Sequence, residues 1–492
     1  VSVAAHPVES RFVVQCMDAE SLGMGMLFAA MFREQFLFSH AAQEWFVWRG
    51  HYYERDCTGE ALAAVDLVAQ RCAEEIGPVE DRIGEAREAN NDYQRKSAEK
   101  EKKRIIDIVR SLRRKTGRAD CLHFASTLPD GHGLGIRGDD FDQDIWLFGC
   151  RNGVIDCRTG RFRPGRPSDR ITKTSPVQFD PKAECPRFMS YLWESLENHD
   201  VIAYLQRFCG YLLTGSVREQ VYLINSGEGR NGKGILQEII SAVMGSYSRA
   251  VKSELLLDQG RNKSASGPSP EIMSLYGARV AWASESNEGR RVDNGQVKLL
   301  TGGDELNGRN PNDKYEVCFK PTHKLILSTN NPPHGFDADF ALLERTHHIA
   351  WDIQFVDTPR GPRQKLKIKD LGASLMRELP GILNWMLAGC MQWQAMGGLC
   401  PPPIVLQAAK DLGREGDTVQ DFVEARCYVL ESDPESIRTS ATDLYEDFRL
   451  WFQKYHSGKC PGIHWFGRRM SKKFNRIKSG VYYYEGIGIL AQ

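Results

Sequence analysis

The sequence predicts an α/β protein whose central domain holds a mainly parallel sheet, flanked by helical and mixed segments. Three observations carry that reading. Residues 216–352 alternate short apolar runs with helical patterns. Within them, "INSGEGRNGKGILQEII" at 224–240 sets a glycine-rich turn between an apolar run and an apolar-periodic helix. Two further apolar runs, "ARVAWASES" at 278–286 and "HKLILSTNN" at 323–331, close on Glu285 and Asn330.

Composition bounds the rest. At 492 residues the chain exceeds the usual size of one domain, so two to four are expected. No apolar run approaches the ~20 residues of a membrane span, so no membrane association is expected. The 64 basic residues balance 64 acidic ones, so any nucleic-acid contact must come from local patches. Thirteen cysteines lack paired metal-ligand spacing and read as reduced, buried thiols of a cytoplasmic protein.

Along the chain, 1–115 reads as mostly helical, with an aromatic hairpin near 44–56 and a charged, apolar-periodic helix at 96–115. Strand-and-turn signals follow at 145–185, and from 370 the pattern is helical up to the prolines at 401–403. The expected domains are a helical and mixed segment over 1–200, an α/β domain over 201–360, a helical extension over 361–415 and a small terminal domain over 416–492.

The stretch Gly227, Glu228, Gly229, Arg230, Asn231, Gly232, Lys233, Gly234, Ile235 fits G-x-x-x-x-G-K, with "VYLINS" as the strand before it. Glycines let backbone N–H groups face phosphate oxygens, the helix start adds its positive end, and Lys233 supplies a point charge to the outer phosphates. ATP is therefore the expected ligand, with Mg2+. A phosphate-handling site also needs a carboxylate for metal and water and a polar sensor, roles that Glu285 and Asn330 suit if both strands end at the same sheet edge. Between them, 297–321 predicts a hairpin on which Lys298, Arg309, Lys314 and Lys320 could follow a nucleic-acid backbone. Arg345, in "FALLERTHHIAW", is placed to reach a neighbouring subunit's γ-phosphate. A second patch, "KCPGIHWFGRRMSKKFNRIK" at 459–478, has no acidic residue and offers Arg468, Arg469, Lys472 and Lys473 to phosphates, with Trp465 and Phe466 as anchors.

In this order, "GEGRNGKG", "WASESNEGRRVDNGQVKLLTGGDELNGR", "KLILSTNNPP" and "ALLERTHHI" resemble the superfamily 3 DNA helicases, in their phage, plasmid and poxvirus primase-helicase branch. The resemblance implies an AAA+-type P-loop core, a homo-oligomeric ring (a hexamer) with ATP between subunits, and a winged-helix-like end. It implies roles for Lys233 on phosphates, Glu285 on metal and water, Asn330 as sensor and Arg345 as the finger from the next subunit. It also implies three-prime to five-prime translocation on single-stranded or forked DNA, in replication of a phage or mobile element in a bacterial cell, beside a primase or polymerase partner. No primase domain is evident in these residues. Gly234 stands where a metal-binding hydroxyl is usual, Ser284 leaves one carboxylate rather than two, and Glu344 replaces a second basic residue. Those departures motivate an alternative: an ATP-binding initiator or scaffold ring with weak hydrolysis.

Overall fold

The computed structural model describes residues 5–129, 132–137, 140–258, 269–285, 291–309, 311, 316–331, 340–415, 418–430, 434–455 and 460–490. At its centre lie five strands: β1 (Tyr222–Ser226), β2 (Ser248–Lys252), β3 (Val280–Glu285), β4 (Lys324–Thr329) and β5 (Thr346–Ala350). Their order across the sheet is β5-β1-β4-β3-β2, and each neighbouring pair is parallel. The mainly parallel sheet read from the sequence is therefore present.

Why these strands are continuous apolar runs is visible in the packing, because both faces of the sheet are covered. Successive side chains alternate between faces. Leu223, Trp282, Ile326 and Ile349 meet Leu236, Ile239, Ile240 and Val243 of helix α1 (Lys233–Met244). Ile224, Ala281, Ala283, Leu325 and Leu327 meet Val297 and Leu300 of helix α2 (Asn294–Thr301), together with Leu342.

The first of these cores also takes in the helices Pro186–Leu196, His199–Leu212 and Leu379–Ala395 and the antiparallel strands Leu147–Cys150 and Gly153–Asp156. It runs from Phe148 to Val405, across both the 200/201 and the 360/361 boundaries read from the sequence. Residues 13–134 close a separate core, centred on Phe28, Phe32, Val65 and Val68. The aromatic hairpin is there, Glu44–Trp48 against Tyr53–Arg55. The charged helix spans Asp92–Leu112 and buries Ala98, Ile105 and Leu112, so one stripe of it is core and the rest a charged face.

The terminal unit packs Phe422, Phe448, Phe466 and Tyr484 from the helices Thr418–Arg426, Ala441–Tyr455 and Ile463–Lys473 and the hairpin Arg476–Ser479/Val481–Glu485. All thirteen cysteines are free thiols, and no described helix is long and apolar enough to cross a membrane.

Candidate functional site

Topology creates the site. The connection after β1 carries α1 over one face of the sheet, whereas the connections after β3 and β4 carry α2 and Leu342 over the other. The chain therefore parts to opposite faces between β1 and β4, and a crevice opens there at the carboxyl ends of the strands. Ser226 is level with Thr329, and Thr329 with Glu285. Three strand ends thus share one edge. At about 4.8 Å per strand, the Glu285 backbone stands about 10 Å from the root of the loop after β1.

That loop is bent as an anion cradle requires. Gly227 has φ 154°, and a Cβ there would come within 2.2 Å of Asn231 Nδ2 and 2.3 Å of the Trp351 carbonyl oxygen. Gly229, Arg230 and Gly232 also have positive φ, Arg230 at 52° being the strained one. Among the described residues, the N–H groups from Arg230 to Ile235 find no acceptor. Donors left in this way at a helix start are suited to accept an anion.

Lys233 is the charge in that cradle. It is buried, and its Nζ donates to the Gly227 carbonyl oxygen at 2.5 Å; no described carboxylate pairs with it. Burial pushes its ammonium down to about 8. An ammonium desolvated without a counter-ion is complementary to an incoming phosphate, so the residues present fit a nucleotide's phosphates.

The frame around the loop comes from residues that sequence reasoning missed. Asn231 Nδ2 donates to the Trp351 carbonyl oxygen at 3.1 Å, Trp351 Nε1 donates to Asn225 Oδ1 at 3.1 Å, and the Phe355 N–H donates to the Arg230 carbonyl oxygen at 2.7 Å. Gln354 Nε2 donates to Glu228 Oε2 at 3.1 Å. From the helix Pro186–Leu196, Tyr191 donates its hydroxyl to the Gly232 carbonyl oxygen at 2.9 Å. A cavity of about 370 Å3 opens beside the loop between Tyr191, Ile235, Glu238, Phe355, Lys367 and Leu371. Another, of about 520 Å3, joins Gly227 and Glu228 to Arg360 and Arg363.

The remaining sequence-selected residues fall in three places. Asn330 is exposed directly after β4, where Thr329 Oγ1 donates to the Asn331 carbonyl oxygen at 2.6 Å and bends the chain. Glu285 ends β3, with its side chain outside the described atoms, while Ser284 Oγ donates to Gln237 Oε1 of α1 at 3.4 Å. A Cβ added at Gly234 meets nothing within 4 Å, so sterics do not exclude a hydroxyl there.

Arg345 lies at the far edge of the sheet. Its carbonyl oxygen accepts from the Tyr222 N–H, at the start of β1, so the length of a strand separates it from its own loop. The predicted hairpin forms there too, Leu306–Gly308 against Val317–Phe319, with Arg309 and exposed Lys320 at its flanks and Lys298 on α2. Lys314 lies outside the described residues. In the terminal unit Arg468 is exposed, Arg469 stacks on Trp465 at 3.8 Å, and Lys473 Nζ donates to Gln420 Oε1 at 2.8 Å. The side chain of Lys472 lies outside the described atoms.

The fold sets a bent glycine-rich loop and a buried lysine at the carboxyl edge of a parallel sheet, and comparison with known proteins agrees with the family suggested by its motifs. Residues 25–197 match the family model described as "D5 N terminal like". Over 337 residues the chain is 26% identical to "Putative helicase L207/L206" of Acanthamoeba polyphaga mimivirus, covering 65% of this chain and 34% of that protein. It is 27% identical over 391 residues to "Putative helicase 022R" of Frog virus 3, covering 64% of this chain and 39% of that one. Among solved structures, the apo NrS-1 C terminal region (305-718) aligns over 70% of this chain and 96% of its own, at 11% identity and a TM-score of 0.39. The chain resembles the viral primase-helicase branch, and it spans little more than a third of the length of these curated relatives.

Proposed function

We propose that this chain is the ATP-driven motor portion of a replicative DNA helicase, with an AAA+-like core of superfamily 3 type working as a ring of identical subunits. The observation that carries the reading is the shared edge at which a strained, donor-rich loop with a buried, unpaired Lys233 meets the ends of β3 and β4. Lys233 and the N–H groups of 230–235 would hold the phosphates of ATP. Glu285 would orient the attacking water and hold Mg2+, which supplies charge neutralisation on the phosphates, and Asn330 would be the polar sensor. The 370 Å3 cavity is the right size and character for the base. Arg345 cannot serve its own subunit's loop from the opposite edge, which supports a role in the next subunit.

DNA would run past the hairpin at 306–319 and be gripped by the terminal unit, whose three helices and hairpin have the makings of a winged helix. Single-stranded DNA should raise the ATP turnover of the whole chain. Turnover near background with Mg2+ present, unchanged by DNA, would favour the weakly hydrolysing initiator or scaffold reading. Replacing Arg468, Arg469 and Lys473 with alanine should flatten the dependence of DNA affinity on salt by up to about three in slope, roughly one per lost phosphate contact.

The glycine at 234 gives a test of how the metal is held. Because a Cβ there has open space, Gly234→Ser should fold as the parent does. If Mg2+ is short of a hydroxyl ligand, the variant should reach half-maximal turnover at about three- to tenfold lower magnesium. An unchanged magnesium titration would show that the position no longer faces the metal.

A further inference from the structure

Arg345 is anchored by one nitrogen only. Its Nη1 donates to Thr301 Oγ1 at 3.1 Å and to the Lys298 carbonyl oxygen at 3.4 Å, both in the last turn of α2. Thr301 is buried, and its own hydroxyl proton goes to the Val297 carbonyl oxygen at 2.7 Å, which fixes a lone pair toward the guanidinium. Among the described residues Arg345 forms no ion pair, and Nε and Nη2 have no acceptor. A guanidinium held in this way keeps a two-donor fork for a phosphate oxygen.

The anchor is also tied to the hairpin. Four residues, 302–305, connect Thr301 to the strand Leu306–Gly308. Leu306 and Phe319 at the base of the hairpin are buried in the same core as Val297 and Leu300 of α2 and Leu342 of the helix that ends at Glu344. A displacement of the hairpin is therefore passed to the last turn of α2 by packed side chains that have little room to yield.

We propose that Thr301 is a positioning residue for Arg345: it fixes the guanidinium so that its free fork can serve a second copy of the chain, and it links the fork's placement to whatever the hairpin grips. This rests on the ATP-hydrolysing reading above. The test is steady-state ATP turnover of the full chain, with and without single-stranded DNA, for Thr301→Val, Thr301→Ser and Arg345→Ala, singly and combined. Thr301→Val, which keeps the shape and loses the hydroxyl, should lower kcat about three- to tenfold with KM for ATP unchanged, and lower the DNA stimulation as well. Thr301→Ser should restore both, and adding Thr301→Val to Arg345→Ala should cost nothing more. A parental kcat in Thr301→Val, or an equal loss in the Arg345→Ala background, overturns the positioning role while the ATPase reading stands. Background turnover in the parent chain overturns both.

Discussion

Lys233→Ala should abolish ATP turnover, by at least about a hundredfold at saturating Mg2+ and ATP, because the phosphates lose the buried side-chain charge at the start of α1. The same substitution should leave the thermal melting point unchanged or higher. Among the described residues the buried Lys233 ammonium has a carbonyl oxygen as its partner, and burial holds it near 8, so folding bears the cost of desolvating it. The linkage has a definite sign: that cost is present while the unfolded lysine is charged, grows as pH falls from the ordinary value of 10.5, and is complete below about 8. Alanine removes it. An assay with the melting curve alongside separates loss of chemistry from loss of fold, and retained turnover in a folded Lys233→Ala would remove this lysine from the site.

Arg345→Ala should cost about a thousandfold in turnover and little in nucleotide affinity, as expected for a group that acts on the transition state from another subunit. The geometry makes the trans assignment testable. Arg345 and the loop after β1 are at opposite ends of a five-residue strand, about 17 Å apart by strand rise alone, as the Tyr222 hydrogen bond at one end of β1 and Gly227 beyond the other define. Mixing Arg345→Ala with Lys233→Ala should recover part of the activity, since interfaces joining an intact loop to an intact arginine form again. Independent recovery by Arg345→Ala alone would place the arginine outside the reaction.

The parts of this architecture that could be read from residue order are those written in local pattern. The loop, α1, the strands β1, β3 and β4 and the hairpin at 306–319 each follow from periodicity and turn chemistry within about fifteen residues. What could not be read is the frame. Trp351 meets Asn225 across 126 positions, Tyr191 meets Gly232 across 41, and neither contact has a local signature. Arg360 and Arg363 stand beside Gly227 only because the chain returns after β5. For the same reason the strand-rich segment at 147–163 and the helix Leu379–Ala395 looked separable, although they share one core with the sheet. Apolar residues at helical spacing reveal that a face will be buried, but not which element will cover it.

Amide hydrogen exchange of the full chain, with and without Mg2+ and a non-hydrolysable ATP analogue, tests the central claim most directly. The account predicts slowed exchange in 227–236, where the N–H groups of 230–235 gain phosphate acceptors, together with slowed exchange in 341–346, at the far edge of the sheet, under conditions in which the subunits assemble. Unchanged exchange in 227–236 at saturating analogue would contradict it.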